Sequence, residues 1–252
     1  MKPQALLKGQ PNALFVLDYG LFRVHSGPRD IGLCGYLIRT DAGENVLIDT
    51  GLPAKYAHTS AQATAQDRLG SFGQVLSCTP ENLPEAQLAR AGVRLDQITL
   101  MIQSHTHIDH IGGIDLCPSA PMVIASAERA LPRPLYWGDV QPINWPQRDY
   151  IQIDQDSQIG PGFEVLLCPG HAPGQLAFLI DLPNTGAGLL TSDAISRPGE
   201  VDEAFAGSWD EAQACHHGAR LLDRARARDA TVIFGHCPAQ WQTIAKAPDG
   251  FT

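Results

Sequence analysis

Residues 104–110 read "SHTHIDH", three histidines and an aspartate within the six positions from His105 to His110, directly after the apolar run "ITLMIQ". His105 and His107 stand two residues apart, so in an extended segment both side chains project to one face and can converge on one ion. Asp109 and His110 follow where the chain turns, placed to point toward a second ion beside the first. Neutral imidazole and carboxylate suit zinc and related divalent metals.

Three more polar residues share the context of an apolar strand running into a metal-type ligand. His171 lies in "CPGHAPGQ" after "FEVLL", Asp193 ends "GLLTSD", and His236 ends "ATVIFGH". A lone histidine at a strand end is usually structural, but three such sites together with the 105–110 cluster point to metal.

These residues need a scaffold, and the apolar runs supply one. Strands are predicted at 13–20, 21–26, 33–40 and 45–51. From 52 to 97 the chain is Ala- and Gln-rich with no clear strand, so helices and a loop are expected there, one helix starting at Pro84 and ending at Gly92. Unalternating runs such as "ITLMIQ" and "PMVIAS" fit strands covered on both faces. Later strands are expected at 149–153, 163–168, 176–182, 188–193 and 230–236. Ser208 and Glu211 have capping-box spacing, and Ala212, Cys215, Ala219, Leu222 and Ala225 continue at helical steps, which predicts an amphipathic helix over 209–228. Two β-rich halves, each followed by helices, suit a single α/β domain over 1–252 built as a four-layer αββα sandwich.

Bulk properties exclude other classes. A formal charge of −9 argues against a nucleic-acid surface, and "RARAR" at 224–228 reads as the solvated face of a helix. Two bound divalent cations would offset about four of those charges. No apolar stretch is long enough to cross a membrane, and the opening "MKPQALLKGQPNALF" is too short and too broken by Pro3 and Pro11 for a secretory leader, so a cytoplasmic location is expected. Six scattered cysteines read as buried thiols in a reducing compartment.

The order HxHxDH, then a distant His, Asp and His, together with "VLIDTG" and "GHAPG", resembles the metallo-beta-lactamase-fold hydrolases. The resemblance implies His105, His107 and His171 on one ion, Asp109, His110 and His236 on the other, and Asp193 bridging both. Asp49 would brace the site, the plainer reading being a turn carboxylate. Within that superfamily, "QSHTHIDHIGG", "CPGHAPGQLAFLI", "LLTSDA" and "GHCPAQWQTIAKAPDGF" are most similar to the N-acyl-homoserine lactone lactonases, a quorum-quenching branch in which homodimers occur. Two zinc ions would then supply a bridging hydroxide that opens the ester ring of a lactone, with Asp109 shuttling a proton. The alternatives are a glyoxalase-II-like thioesterase or other ester hydrolase, and a non-catalytic metal- or ligand-binding protein. One departure is specific: the lactonases carry a tyrosine three residues after the bridging aspartate, where this chain has Ser196. Ser196 is thus a candidate substrate contact, with Tyr36, Tyr56 or Tyr136 as possible stand-ins. Ile108, Phe72, Trp137, Trp145 and Phe205 are candidate walls of an apolar acyl pocket, against the plainer reading of core packing.

Overall fold

A single long strand opens the described chain where the sequence suggests two. The computed structural model describes residues 5–252, and the leader expectation rests partly on residues 1–4, which lie outside them. Strand β1 (Pro11–Val24) runs straight through the "YG" punctuation and pairs antiparallel with β2 (Arg29–Thr40). The register slips between Asp18 and Gly20, and Gly20 adopts a φ of 118°, so the strand absorbs the break as a bulge.

The chain continues through β3 (Asn45–Ile48), α1 (Lys55–Gln66), β4 (Gly73–Ser77), α2 (Pro84–Arg90), β5 (Leu100–Ile102), β6 (Met122–Ala125), α3 (Ser126–Arg129) and β7 (Tyr150–Ile153). Strand β4 corrects the expectation of no strand in 52–97. It is a short edge pairing on β1, with Val75 buried and its neighbours exposed, too brief to register as a pattern. These strands form a seven-stranded sheet in the order β4-β1-β2-β3-β5-β6-β7, antiparallel up to β3 and parallel from β3 to β7.

The second half adds β8 (Ser157–Gly160), β9 (Phe163–Leu167), β10 (Leu176–Leu182), β11 (Gly186–Leu190), α4 (Glu211–Ala227), β12 (Thr231–Ile233) and α5 (Pro238–Thr243). Its five-stranded sheet has the order β12-β11-β10-β9-β8. Period-two side chains divide the core into layers. Phe178 and Ile180 of β10 join Val16, Ile38, Ile48 and Ile102 between the sheets, whereas Ala177 and Leu179 pack outward with Leu221 and Ala225 of α4. On the far face of the first sheet, Leu17, Leu37 and Leu47 pack with Tyr56 and Leu88 from the helical region. Each such large side chain contributes about 1.5–3 kcal/mol by leaving water. The α/β four-layer αββα sandwich is therefore the observed architecture, organised by three apolar clusters.

Helix α4 departs from its predicted face and cap. Asp210, not Ser208, caps it, its Oδ1 accepting from Gln213 N at 3.0 Å, while Glu211 accepts from Gly207 N. The buried stripe is Ala214, Gly218, Leu221 and Ala225, one step round from the predicted one. Gly218 explains the shift: a Cβ there would lie 2.4 Å from the Phe205 ring, so the residue with no side chain sits at the closest contact. The arginines are only partly a free solvated face, because Arg224 pairs with Glu164 and Arg228 with Asp181. Of the six cysteines, all free thiols, Cys34, Cys117 and Cys168 are buried and the other three partly exposed.

Candidate metal centre

Strands that run in the same direction within each sheet deliver their C-terminal ends to the site, and polar residues follow each. Asp49 comes directly after β3, the 105–110 segment after β5, His171 after β9, Asp193 in the turn after β11, and His236 after β12. Strand β11 stops at Leu190 and strand β12 at Ile233, short of the predicted ends, which frees Asp193 and His236 from sheet pairing. Asp49 adopts a φ of 60° and Ser192 of 46°, conformations that turn the chain sharply beside the cluster.

The seven side chains meet. His107 Nδ1 and His171 Nε2 are 2.9 Å apart, and His105, His107 and His171 form one candidate metal group. Asp109, His110 and His236 form another, with Asp109 Oδ2 at 3.4 Å from His236 Nε2 and 3.7 Å from His110 Nε2. Asp193 lies between them. Its Oδ2 is 3.3 Å from His171 Nε2 and 3.9 Å from His105 Nε2, and its Oδ1 is 3.3 Å from His110 Nε2 and 3.1 Å from His236 Nε2.

Partners behind the rings set which nitrogen faces inward. His110 Nδ1 donates to Asp49 Oδ2 at 2.9 Å, and His236 Nδ1 donates to the Gly32 carbonyl at 2.8 Å. Ser104 Oγ donates to Asp49 Oδ2 at 2.6 Å, and so accepts from His105 Nδ1 at 3.1 Å. With a proton on Nδ1, each of the three rings turns its Nε2 toward the centre. His105 Nε2, His110 Nε2 and Asp193 Oδ1 are buried with no hydrogen bond. Leaving each such atom unsatisfied costs about 1–3 kcal/mol, a debt that cations at the centre would remove together, so the donor set fits divalent metal.

The electrostatics agree. Burial, reinforced by His110, holds His105 well below the usual histidine range, and burial with the neighbouring His171 takes His107 down to about 3. Both are the neutral imidazoles that ligation requires. Burial opposes charge on His110 and His236 too, but the carboxylates win: Asp109, Asp193 and Asp49 raise His110, and Asp193 with Asp109 raises His236 to about 9. Burial likewise disfavours an ionised Asp193, yet His236, His110 and His171 together hold it well below the carboxylate range. The anionic centre thus attracts positive charge, proton or metal.

An apolar pocket opens beside Asp109. Phe22, Ile31, Leu33, Leu52, Leu69, Phe72, Ile108 and Trp137 line it with Asp109 itself, and the Phe72 and Trp137 rings lie 4.6 Å apart.

The profile of the metallo-beta-lactamase superfamily matches residues 35–236, most of the chain. The chain belongs to the metallo-beta-lactamase superfamily. Among characterised members, an N-acyl homoserine lactonase from Bacillus cereus is 31% identical over 207 residues, covering 80% of this chain and 79% of its own. The N-acyl homoserine lactonase AiiB of Agrobacterium fabrum is 28% identical over 287 residues, 95% of this chain and 99% of its own. Solved structures share the superfamily fold. An N-acyl homoserine lactone hydrolase with the product N-hexanoyl-L-homoserine bound at its catalytic metal centre superposes with a TM-score of 0.82 at 23% identity, covering 96% of this chain and 100% of that one. AidC, a dizinc quorum-quenching lactonase, superposes at 0.64 and 17% identity over 93% and 92%.

The seven residues read from the sequence come together, and Asp49, itself in a sharp turn, accepts hydrogen bonds from His110 and Ser104. The pocket candidates divide. Ile108, Phe72 and Trp137 line the pocket, whereas Phe205 packs on α4 and Trp145 donates to the Leu131 carbonyl beside Tyr150. Ser196 is not a pocket-lining residue: its N–H donates to Glu200 Oε2 at 2.6 Å and its carbonyl accepts from His236 N at 2.8 Å. The stand-in tyrosines are engaged elsewhere. Tyr56 and Tyr136 hydroxyls both donate to Asp67, and the Tyr36 hydroxyl meets Cys34 Sγ within the core. Sequence reasoning missed Asp67, Glu128 and Glu200, polar residues inside ordinary helical or loop text. It also missed Phe22, Ile31 and Leu33, which look like any strand residues until the first sheet is assembled.

Proposed function

We propose that this protein is a metal-dependent hydrolase that opens the ester ring of an N-acyl homoserine lactone or related small lactone. The observation that carries the reading is the juxtaposition of the seven-residue centre with an apolar pocket, Asp109 belonging to both. The named relatives and the product-bound structure supply the substrate class. His105, His107 and His171 would hold one ion, Asp109, His110 and His236 the other, and Asp193 both. The imidazole-rich set with carboxylates favours zinc. Two divalent cations there would make hydroxide available at neutral pH and polarise the carbonyl.

The chain's own residues do the rest. Phe72, Trp137 and Ile108 give an acyl tail an apolar surface to lie against, with the polar ring left at Asp109. Water adds across the carbonyl carbon and ring oxygen, giving a carboxylate and an alcohol, and the Asp109 carboxylate is placed to hold the proton that the leaving oxygen takes. Ser196 acts through its backbone, fixing His236, rather than through a phenol-like donor.

A pH-indicator assay of acid release tests this with N-hexanoyl-homoserine lactone, a thioester and a phosphodiester, with His107→Ala as the control. Lactone opening is expected, together with a loss in the variant larger than the about 10–100-fold cost of removing an outer partner. Turnover unchanged in His107→Ala, or no turnover of any class, would overturn the reading.

A further inference from the structure

A buried carboxyl outside the seven residues joins two of the loops that carry them. Glu128, in α3, is fully buried, and no salt bridge involves it among the described residues. One of its oxygens accepts from the Thr106 hydroxyl, the other from Gly174 N at 3.2 Å. Thr106 stands between His105 and His107, and Gly174 lies three residues after His171. The contact is close-fitting on the second side: a Cβ on Gly174 would sit 2.7 Å from Glu128 Cγ and 2.9 Å from Glu128 N. The first side is fixed as well, since Thr106 Oγ also accepts from Leu135 N at 3.0 Å and the Thr106 carbonyl from Tyr136 N at 2.8 Å.

Two of the other four side chains of the centre, His110 and His236, are held by different groups. His110 leans on Asp49, and His236 on the Gly32 carbonyl and the Ser196 backbone. We propose that Glu128 is a positioning residue that sets the separation of the His105–His107 segment from the His171 loop. It thereby governs the affinity for one of the two ions and leaves the other alone. A buried carboxyl without a cation is costly, and here burial raises its pKa from the ordinary value. Two donors from separate loops offset part of that cost, and an apolar residue in its place would leave both loops unjoined.

The inference rests on the two-ion reading, and the experiment separates the two. Metal-free wild type, Glu128→Ala and Glu128→Gln are titrated with Zn2+ against a chromophoric chelator, with thermal unfolding of each metal-free protein in parallel. Wild type takes up two equivalents. Glu128→Ala keeps one at wild-type affinity and binds the other about 10–100-fold more weakly, the cost typical of a lost outer partner. Glu128→Gln keeps an acceptor for one loop and presents an N–H to the other, so it weakens the same ion by a smaller factor. If Glu128→Ala does not fold, Glu128→Gln decides alone. Equal weakening of both ions, or two unchanged affinities, would overturn the positioning role. A wild type that binds no zinc would remove the two-ion reading instead, and this inference with it.

Discussion

At the scale of single residues, Asp49 shows how one carboxylate can orient rings of both candidate metal groups. It accepts from His110 Nδ1 and from the Ser104 hydroxyl, and Ser104 in turn accepts from His105. Asp49→Ala frees both rings to turn and to change tautomer. Its metal affinity is expected to fall about 10–100-fold, measured by chelator competition, and an unchanged affinity would show that the rings are held without it. The seven central residues were legible because imidazole and carboxylate groups recur just past apolar runs, where a sheet must bring strand ends together. Asp49 was legible only as one of two readings, since a turn carboxylate has the same local text. Glu128 and Asp67 were not, because each bonds a partner as far as 46 and 69 residues away, with no spacing rule to link them.

Two contacts between elements show how the frame reaches the site. The Asp67 carboxylate, just past α1, accepts from the hydroxyls of Tyr56 and Tyr136 at 2.8 and 2.7 Å and from Lys55 Nζ at 2.7 Å. Tyr136 is also tied by backbone to Thr106 and Ile108, and Trp137 follows it into the pocket wall. Asp67→Asn keeps the volume but weakens three charge-assisted bonds, so unfolding in urea should show a loss of about 1–3 kcal/mol. KM for a long-chain lactone should rise while kcat changes little; a change confined to kcat would argue that Asp67 does not act through the pocket. Gly32 is the second case. A Cβ there would lie 1.9 Å from the Trp241 ring of α5, while its carbonyl holds His236. Gly32→Ala should therefore cost about 1–3 kcal/mol by overpacking and lower zinc affinity as well; a fully stable variant would mean that α5 shifts freely. Strand β4 and the face of α4 escaped the sequence for related reasons. One is a five-residue edge with a single buried side chain, and the other turns on a glycine that carries no hydropathy signal.

For the molecule as a whole, the sandwich brings together candidate ligands that span 132 residues from His105 to His236, so bound metal should act as a cross-link among both sheets. No helix among the described residues is long and apolar enough to cross a membrane. Ligand present at about 100 times its Kd stabilises a fold by about 2.7 kcal/mol. For a domain of this size that is a Tm change on the order of 5–10 °C, expected on chelation and reversed by added zinc. A Tm indifferent to both would place the seven side chains outside any metal role.

Metal analysis of protein purified without chelator tests the central claim most directly. Close to two equivalents of divalent metal per chain are predicted, falling on replacement of Asp193, which faces both groups. No metal as purified, and none taken up from added zinc, would contradict the account.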